Sequence, residues 1–303
     1  MKRLYAKEKL DEEEVELEEL ERSLSEVWQV NRYLGGNPVL FKHLERLLRQ
    51  TAIARRAQEL GLKFGQDAGL EQGTGLKKRA GLEQRAGLEQ RAGLEQRAGL
   101  EQGAAKNSQG IQRGWNGSGL RPAQGNRVKI KLLDVATGLA DIPIALEKWC
   151  SRRGMSVEIV GVDIHPKMVE LAVKRTAHQT AIQVLQADGT ALPFEDNSFD
   201  IVFSNLALHH LDDGEASRML GEINRVARVG WVVTDLERHR LALLSARMLA
   251  KFIWRSPVTK HDGPMSVQRS YTAREAKELL AQAGVPAVVH RHFPFRLAIV
   301  CHA

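Results

Sequence analysis

The sequence predicts an α/β fold with a mostly parallel sheet over residues 127–303. Two observations predict it. Short apolar runs rich in β-branched residues alternate with amphipathic stretches in this part of the chain, as in parallel sheets covered by helices on both faces. The last two runs have no helical stretch between them, which indicates a hairpin at the sheet edge. The seven predicted strands lie near residues 129–135, 157–162, 182–187, 199–204, 230–235, 286–291 and 295–301.

The composition allows one full-sized core with appendages, since the chain has 303 residues and 43% of them are hydrophobic. Aromatic residues make up only 5%, and the net charge of +7 is scattered, which favours a solvated surface over a nucleic-acid footprint. Cys150 and Cys301 form no metal pattern and no disulfide framework, which favours the cytoplasm. No apolar run reaches about 18 residues, and the first residues lack the apolar segment of an export signal, so neither a spanning helix nor export is expected.

Residues 1–62 are predicted to form a helical cap. Apolar residues recur every three or four positions from Leu17 to Val27, as on one face of an amphipathic helix. The pattern covers too few heptads to favour a coiled coil, so a helix folded onto its own domain is preferred. The Gly-Gly-Asn-Pro sequence at 35–38 predicts a break, and a second helix is expected over roughly 39–60.

Residues 63–126 are predicted to be a low-complexity linker. The hexapeptide Arg-Ala-Gly-Leu-Glu-Gln occurs four times in tandem from Arg79 to Gln102. Leucines six residues apart are rotated by about 120° on a helix, so they form no single apolar stripe. A glycine in every repeat weakens a helix further. We interpret the segment as a flexible insertion expanded by duplication.

The first predicted strand of the sheet runs into a turn of small residues, from Asp134 to Pro143. Small residues at 136, 138 and 140 let the backbone approach a ligand closely. Such a turn lies at the carboxyl edge of a parallel sheet, where ligands bind. The spacing differs from the dinucleotide-binding fingerprint.

Polar residues also follow the next three predicted strands. Asp163 closes the second strand, where a carboxylate accepts hydrogen bonds from ribose hydroxyls, although it precedes Pro166 and a helix-capping role is the alternative. Asp188 follows the third strand, and Asn205 follows the fourth. The sequence therefore predicts a ligand site at this edge of the sheet.

These segments, in this order, resemble class I S-adenosylmethionine-dependent methyltransferases over about 175 residues. Within that superfamily they are similar to the group that contains the ubiquinone and menaquinone methyltransferases. The tail from Thr259 to Arg296 further resembles methyltransferases that accompany bacterial type III polyketide synthases. The resemblance implies a Rossmann-like, seven-stranded sheet and S-adenosylmethionine as cofactor, and it implies no metal.

The resemblance also implies the cofactor residues. The family's acidic-Gly-x-Gly-x-Gly turn beside the amino-acid portion of the cofactor is matched by Asp134, Ala136, Gly138 and Ala140. Two of its three glycines are alanine here. Alanine adds a methyl group and disfavours positive φ, so we expect the turn to survive if these positions hold ordinary φ values. The remaining matches are Asp163 for the ribose, Ile164 for the adenine face, Asp188 with Gly189 for the adenine amino group, and Asn205 with Leu206 beside the sulfonium.

Histidines near the predicted edge are candidates for a general base, because imidazole titrates near neutrality. His209 and His210 follow the fourth strand, with a packing or capping role as the alternative. His261, beside Asp262, is expected in a Gly-Pro loop that reaches the site as part of a lid. Asp235 and His239, past the fifth strand, are further candidates.

The stretch 240–255 is predicted to be a basic amphipathic helix. Its cations, at positions 240, 247, 251 and 255, lie on one face. Such a helix either covers the acceptor pocket as a lid or rests peripherally on an anionic membrane, and the sequence favours the lid.

We therefore expect a methyltransferase acting on a small, hydrophobic phenolic or quinone-like acceptor, with O-methylation favoured. Alternatives are C-methylation of a quinone precursor and a non-catalytic module that binds S-adenosylmethionine. Nucleic acid ranks last, because the residues after the fourth strand lack an aromatic and proline-rich base-binding turn. No protein partner is indicated.

Overall fold

The computed structural model describes residues 1–11, 15–59 and 129–302. These residues belong to one compact unit. The hexapeptide repeats lie outside the described residues.

A seven-stranded sheet in the order β3-β2-β1-β4-β5-β7-β6 forms the centre of this unit. Strands β1 to β5 are parallel, and β7 runs antiparallel between β5 and β6. The predicted fold class and edge hairpin are confirmed. The strands are β1 Ile130–Val135, β2 Val157–Asp163, β3 Ile182–Gln186, β4 Phe199–Asn205, β5 Ala227–Leu236, β6 Val288–His292 and β7 Arg296–His302.

The fifth strand begins earlier than predicted, at Ala227 rather than near residue 230. Its pairing with β4 shifts register between Phe199 and Ile201, opposite Ala227 and Gly230. Such a bulge places one extra residue in the strand and often occurs beside glycine. A side chain at Gly230 would lie 2.5 Å from the carbonyl oxygen of Cys301 in β7, which explains a glycine inside this strand.

Eight helices surround the sheet among the described residues. Sequence signals explain several boundaries: α5 and α8 each begin with a capping box, and α8 ends at Gly284 with φ +66°. The helices are α1 Leu17–Tyr33, α2 Gly36–Glu59, α3 Asp141–Ser151, α4 Pro166–Thr176, α5 Asp213–Val226, α6 Arg240–Phe252, α7 Pro257–Arg269 and α8 Ala273–Ala283.

Two layers of helices bury the two faces of the sheet. Helices α5 and α8 cover one face, and α3 and α4 lie on the other. Helix α2 joins the second layer, because its leucines are fully buried against strand residues such as Ile201 and Val232. Those leucines are Leu40, Leu44, Leu47 and Leu48. Near the end of α2, one guanidinium nitrogen of Arg55 donates to both carboxylate oxygens of buried Asp200, each at 2.7 Å.

Two expectations about residues 240–269 were wrong. His261 lies inside helix α7, although a Gly-Pro loop was expected there. Both Gly263 and Pro264 lie within that helix. A Cβ at Gly263 would lie 2.3 Å from the Trp254 ring, so the glycine leaves room for the indole. Helix α6 ends at Phe252, so Arg255 lies outside it. None of the described helices is both long and apolar enough to cross a bilayer.

Candidate active site

One cavity of about 1100 Å³ opens at the carboxyl edge of the parallel strands. Its walls come from the ends of β1, β2 and β4, from α1 and α6, and from the N-terminal segment. The lining is mostly apolar. Nearly all of the predicted cofactor residues, and two of the three predicted catalytic histidines, line this cavity; Ala140 and His261 do not.

The turn after β1 is left-handed at three positions. Ala136, Gly138 and Ala140 have φ values of +60°, +55° and +58°. The two alanines therefore do not hold the ordinary φ values on which the sequence made survival of the turn depend, and the turn forms nevertheless. The turn must reverse from the strand into α3 within a few residues, and the backbone adopts glycine-like angles even where the side chain is a methyl group.

Asp134 holds the base of this turn together. Its side chain is buried and accepts a hydrogen bond from the Thr137 hydroxyl at 2.8 Å. Burial raises the pKa of Asp134 well above its usual range, against the opposing effect of the Thr137 hydrogen bond. Neighbouring Gly161 leaves room for Thr137, because a Cβ there would lie 2.8 Å from the Thr137 hydroxyl.

Asp163 connects the turn after β1 with the turn after β2. Its Oδ2 accepts from the Gly138 N–H at 2.9 Å, and its Oδ1 accepts from the His165 N–H at 3.0 Å. Burial raises the pKa of Asp163, while the two backbone donors act in the opposite direction. The N-cap residue of helix α4 is His165, so Asp163 does not occupy the capping position that was considered for it. Its contact with the helix start is the hydrogen bond from the His165 N–H.

Ile164 is an exposed apolar residue in a site of carboxylates. Its side chain is 64% exposed and lines the cavity beside Asp163. Asp188, on the next loop, is also exposed, and its Oδ1 accepts from the N–H and the hydroxyl of Thr190, both at 2.8 Å. Gly189 allows this loop to approach β1, since a Cβ would lie 2.9 Å from the Val135 side chain.

The turn after β4 presents Asn205 and Leu206 to the same cavity. The Thr234 hydroxyl donates to Asn205 Oδ1 at 2.8 Å, and the Leu206 N–H donates to the Thr234 carbonyl, also at 2.8 Å. Leu206 has φ +59°. Strand β5 thus holds this turn in a left-handed conformation.

The two histidines after β4 occupy a short 3-10 turn, Leu208–His210, with their ring centroids 4.3 Å apart. The buried His209 ring is fixed by Asp235: Nδ1 lies 2.7 Å from Oδ1, and the His209 backbone N–H donates to Oδ2 at 2.9 Å. Burial alone would raise the pKa of Asp235, but the His209 charge and these hydrogen bonds outweigh it and lower that pKa. The ionised carboxylate therefore accepts from Nδ1, which leaves Nε2 for other partners.

Glu8 and Arg269 complete the surroundings of the histidine pair. Glu8 is buried, and its carboxylate oxygens lie 3.9 Å from His209 Nε2 and 4.0 Å from His210 Nε2. Arg269 donates to the carbonyl oxygens of both histidines and lies 3.7 Å from Glu8. Sequence reasoning missed both residues, because nothing distinguishes Glu8 from the other acids of its segment, and these contacts join distant parts of the chain.

His261 lies apart from this pair. Its side chain is 42% exposed and its Nδ1 lies 2.7 Å from Asp262 Oδ1. The Asp262 carboxylate accepts from the backbone N–H groups of Lys9 and Leu10 at 3.0 and 2.9 Å. Asp262 therefore anchors the segment that carries Glu8, and it lines the cavity where His261 does not.

The part of the chain that forms this site matches a known protein family. Residues 133–233 match the family described as a methyltransferase domain. The segment includes the end of β1, all of β2, β3 and β4, every predicted cofactor residue and the histidine pair. It is a class I methyltransferase domain. Such a domain takes S-adenosylmethionine as its cofactor.

Similar proteins match part of the chain rather than all of it. The demethylmenaquinone methyltransferase of Staphylococcus haemolyticus is 38% identical over 111 residues, which cover 37% of this chain and 44% of that protein. That of Staphylococcus saprophyticus is 38% identical over 107 residues, covering 35% and 44%. The chain thus spans less than half the length of these relatives. The crystal structure of a SAM-dependent methyltransferase from Aquifex aeolicus superposes with a TM-score of 0.43 at 20% identity, covering 58% of this chain and 83% of that one.

The residues of the methyltransferase domain fit the cofactor chemically. Carboxylates of Asp163 and Asp188 suit hydroxyl and amino donors, and the exposed Ile164 suits an apolar ring face. A side chain at Gly138 would meet no atom within 4 Å, so the turn leaves open space beside Asp134.

Proposed function

We propose that this protein transfers a methyl group from S-adenosylmethionine to a small, hydrophobic phenolic or quinone-like acceptor, with oxygen as the favoured atom. The observation that carries the proposal is that one cavity joins Asp134, Asp163 and Asp188, at or after the ends of β1 to β3, with the histidine pair after β4. A methyl donor and an ionisable acceptor must meet in a shared space, and this cavity supplies it. Because both cysteines are free and buried, the proposal retains a reducing cytoplasm as the compartment.

Each end of the proposed cofactor site has its own residues. Asp163 would hold the ribose hydroxyls, Ile164 the adenine face, and Asp188, beside Gly189, the adenine amino group. Asp134 and the turn formed by Ala136, Gly138 and Ala140 would hold the amino-acid portion. Asn205 and Leu206 would face the sulfonium, which supplies an electrophilic methyl group when the cofactor is bound.

Beyond the proposed cofactor residues, the lining of the cavity is mostly apolar, with the histidine pair, Glu8 and Asp262 among its polar members. Trp28, Met168, Met248 and Phe295 are among the side chains that line it. Burying an apolar acceptor against them is favourable by roughly 25 cal/mol per Å² of surface removed from water. This lining supports a lipophilic acceptor over a charged one.

We propose that His209 Nε2 removes the proton of the acceptor hydroxyl. Asp235 supports this role, because it accepts from Nδ1 and so keeps the Nε2 lone pair available. The resulting imidazolium would lie between Asp235 and Glu8, two carboxylates that stabilise its charge. The ring of His210 lies next to that of His209, tilted by 36°, and would shape the same wall, whereas His261 has no part in this mechanism.

His209→Asn tests the base. Turnover is expected to fall by about 10²–10⁴-fold, since a positioned base contributes roughly that much. The affinity for S-adenosylmethionine, measured by calorimetry, should change by less than about threefold. Asp235→Asn should lower turnover similarly, because an amide N–H donating to Nδ1 would leave the hydrogen on Nε2. His210→Asn is the matched control and should lower turnover less. Wild-type turnover in His209→Asn would rule out this base.

Asp163→Asn tests the cofactor half. Loss of a charged acceptor should weaken S-adenosylmethionine binding by about tenfold or more, since hydrogen bonds to charged groups contribute roughly 1.5–3 kcal/mol. Calorimetry of the folded variant measures this. Asp196→Asn, an exposed acid outside the cavity, should bind as the wild type does.

C-methylation of a quinone precursor is the second candidate, and the demethylmenaquinone methyltransferases among the similar proteins favour it. Labelled cofactor incubated with phenols and quinols distinguishes the two, because nuclear magnetic resonance of the product shows whether the new methyl group is on oxygen or carbon. Cofactor binding without transfer to any acceptor would favour the non-catalytic module.

A further inference from the structure

Helix α6 exposes an unusual amount of apolar surface for a folded protein. The side chains of Leu241, Leu244, Met248 and Phe252 are 50–64% exposed, and we call this set the apolar stripe. Their spacing of three, four and four residues places them along one side of the helix. Ile253, directly after the helix, is 63% exposed and extends the stripe. Contiguous exposed apolar surface of this kind marks an interaction site.

A row of cations lies directly beside the apolar stripe. Arg240, Arg247 and Lys251 are exposed. At about 100° per residue they occupy an arc of roughly 40°, and the stripe begins next to that arc. The opposite side of α6 is buried through Ala242, Leu243 and Ala246. Within the described residues, no carboxylate lies at ion-pair distance from any of the three cations.

The apolar stripe also borders the cavity. Leu244, Met248, Phe252 and Ile253 line it as well as facing solvent. Leu34, which is 41% exposed, lines the cavity from the turn between α1 and α2. The protein surface around this opening of the cavity is therefore apolar, like the lining inside it.

We propose that this face of α6 docks on an anionic phospholipid bilayer, and that the acceptor passes from the bilayer into the cavity; the second half rests on the proposed function. A helix with an apolar stripe beside a row of cations lies in the membrane interface, with its apolar side chains among the acyl chains and its cations at the headgroups. At 13 residues α6 is too short to span the bilayer. A second copy of the chain fits less well, because a two-fold axis through the stripe would bring two rows of unpaired cations together.

Co-sedimentation with vesicles tests the docking surface without cofactor or acceptor. The full chain should bind phosphatidylcholine vesicles that contain about one third phosphatidylglycerol, and bind pure phosphatidylcholine far more weakly. Arg247→Glu with Lys251→Glu should weaken binding at least about thirtyfold, given the attraction of each cation near an anionic surface. Leu241→Asp, which alters the stripe at a residue outside the cavity lining, should weaken it at least about tenfold.

The matched control reverses two exposed cations elsewhere, Arg152 directly after α3 and Lys277 on α8. Arg152→Glu with Lys277→Glu changes the net charge equally and should change vesicle binding by less than about threefold. Equal loss in this control, no binding of the wild type to anionic vesicles, or a dimer in ultracentrifugation that Leu241→Asp dissociates would each overturn the proposal.

Turnover separates this inference from the proposed function. Arg247→Glu with Lys251→Glu should methylate a short, water-soluble phenol at the wild-type rate and lose activity on a long-chain acceptor held in anionic vesicles. Transfer to the soluble phenol without vesicle binding would overturn the membrane surface alone. Vesicle binding without transfer to any acceptor would overturn the proposed function and the delivery of the acceptor.

Discussion

At the scale of single residues, the site depends on backbone conformations that the residue types disfavour. Ala136, Ala140 and Leu206 all have φ near +60°. An L-residue in this region costs roughly 1–2 kcal/mol. The cost is tolerated where the sheet edge forces a tight reversal, and such positions concentrate at functional sites.

Replacing Ala136 by glycine should therefore stabilise the protein. Ala136 is exposed, so glycine relieves the left-handed strain without loss of packing. The greater flexibility of glycine in the unfolded chain offsets part of the gain, and the free energy of unfolding should rise by about 0.5–1 kcal/mol. Denaturant unfolding measures the change.

Ala140→Gly is the matched control for this prediction. Ala140 has the same φ, but its methyl group is fully buried. Losing that burial costs about 0.8 kcal/mol, so the two effects should nearly cancel. If Ala136→Gly instead lowered the free energy of unfolding by about 0.5–1 kcal/mol, as glycine does inside a helix, left-handed strain at Ala136 would be contradicted.

At the scale of elements, α2 is tied to the sheet edge by a histidine cluster. His43 of α2 lies with its Nε2 3.0 Å from Nε2 of His292 in β6, and its ring is 5.3 Å from that of His290. Burial lowers the pKa of His43 to about 4, with further lowering from the neighbouring histidines and Lys42. Burial also lowers the pKa of His292. His43 and His292 therefore favour their neutral forms.

This cluster predicts acid sensitivity of the α2 contact. The unfolded chain binds a proton at His43 near pH 6.5, whereas the folded chain does so only near pH 4. Between these values the unfolded state binds more protons, so the free energy of unfolding should fall as pH is lowered from about 7 to 4. Denaturant unfolding across this range measures it, and His43→Gln should show a shallower decline. An identical slope in wild type and variant would contradict the assignment.

At the scale of the whole molecule, the N-terminal segment contacts residues that lie more than 200 positions away in the sequence. Arg3 donates to the carbonyl oxygens of Arg269 and Leu211 at 2.6 and 2.8 Å, and it pairs with Asp213. Its guanidinium lies 3.8 Å from the centre of the Tyr271 ring. These contacts, with the Asp262 anchor, hold Glu8 beside the histidine pair.

Arg3→Ala should consequently lower the free energy of unfolding by about 1–3 kcal/mol, because it removes hydrogen bonds from a nearly buried charged group. Turnover should fall as well if the segment positions Glu8. Arg22→Ala is the control, since Arg22 on α1 is exposed and pairs only with exposed or half-buried acids, and it should change stability by at most about 0.5 kcal/mol. An equal loss of unfolding free energy in both variants would contradict a specific stabilising role for the contacts of Arg3.

The sequence by itself determined the sheet, its order of elements and the edge that carries the site. Alternating apolar runs and capping boxes are local patterns, and parallel strands necessarily bring their carboxyl ends, with Asp134, Asp163, Asp188 and Asn205, to one edge. Only the tertiary structure decided the left-handed alanines, the helical position of His261 and the partners of His209. Those features depend on contacts between residues far apart in the chain, such as Glu8 with Ser266 at a separation of 258 residues, and no local pattern encodes them.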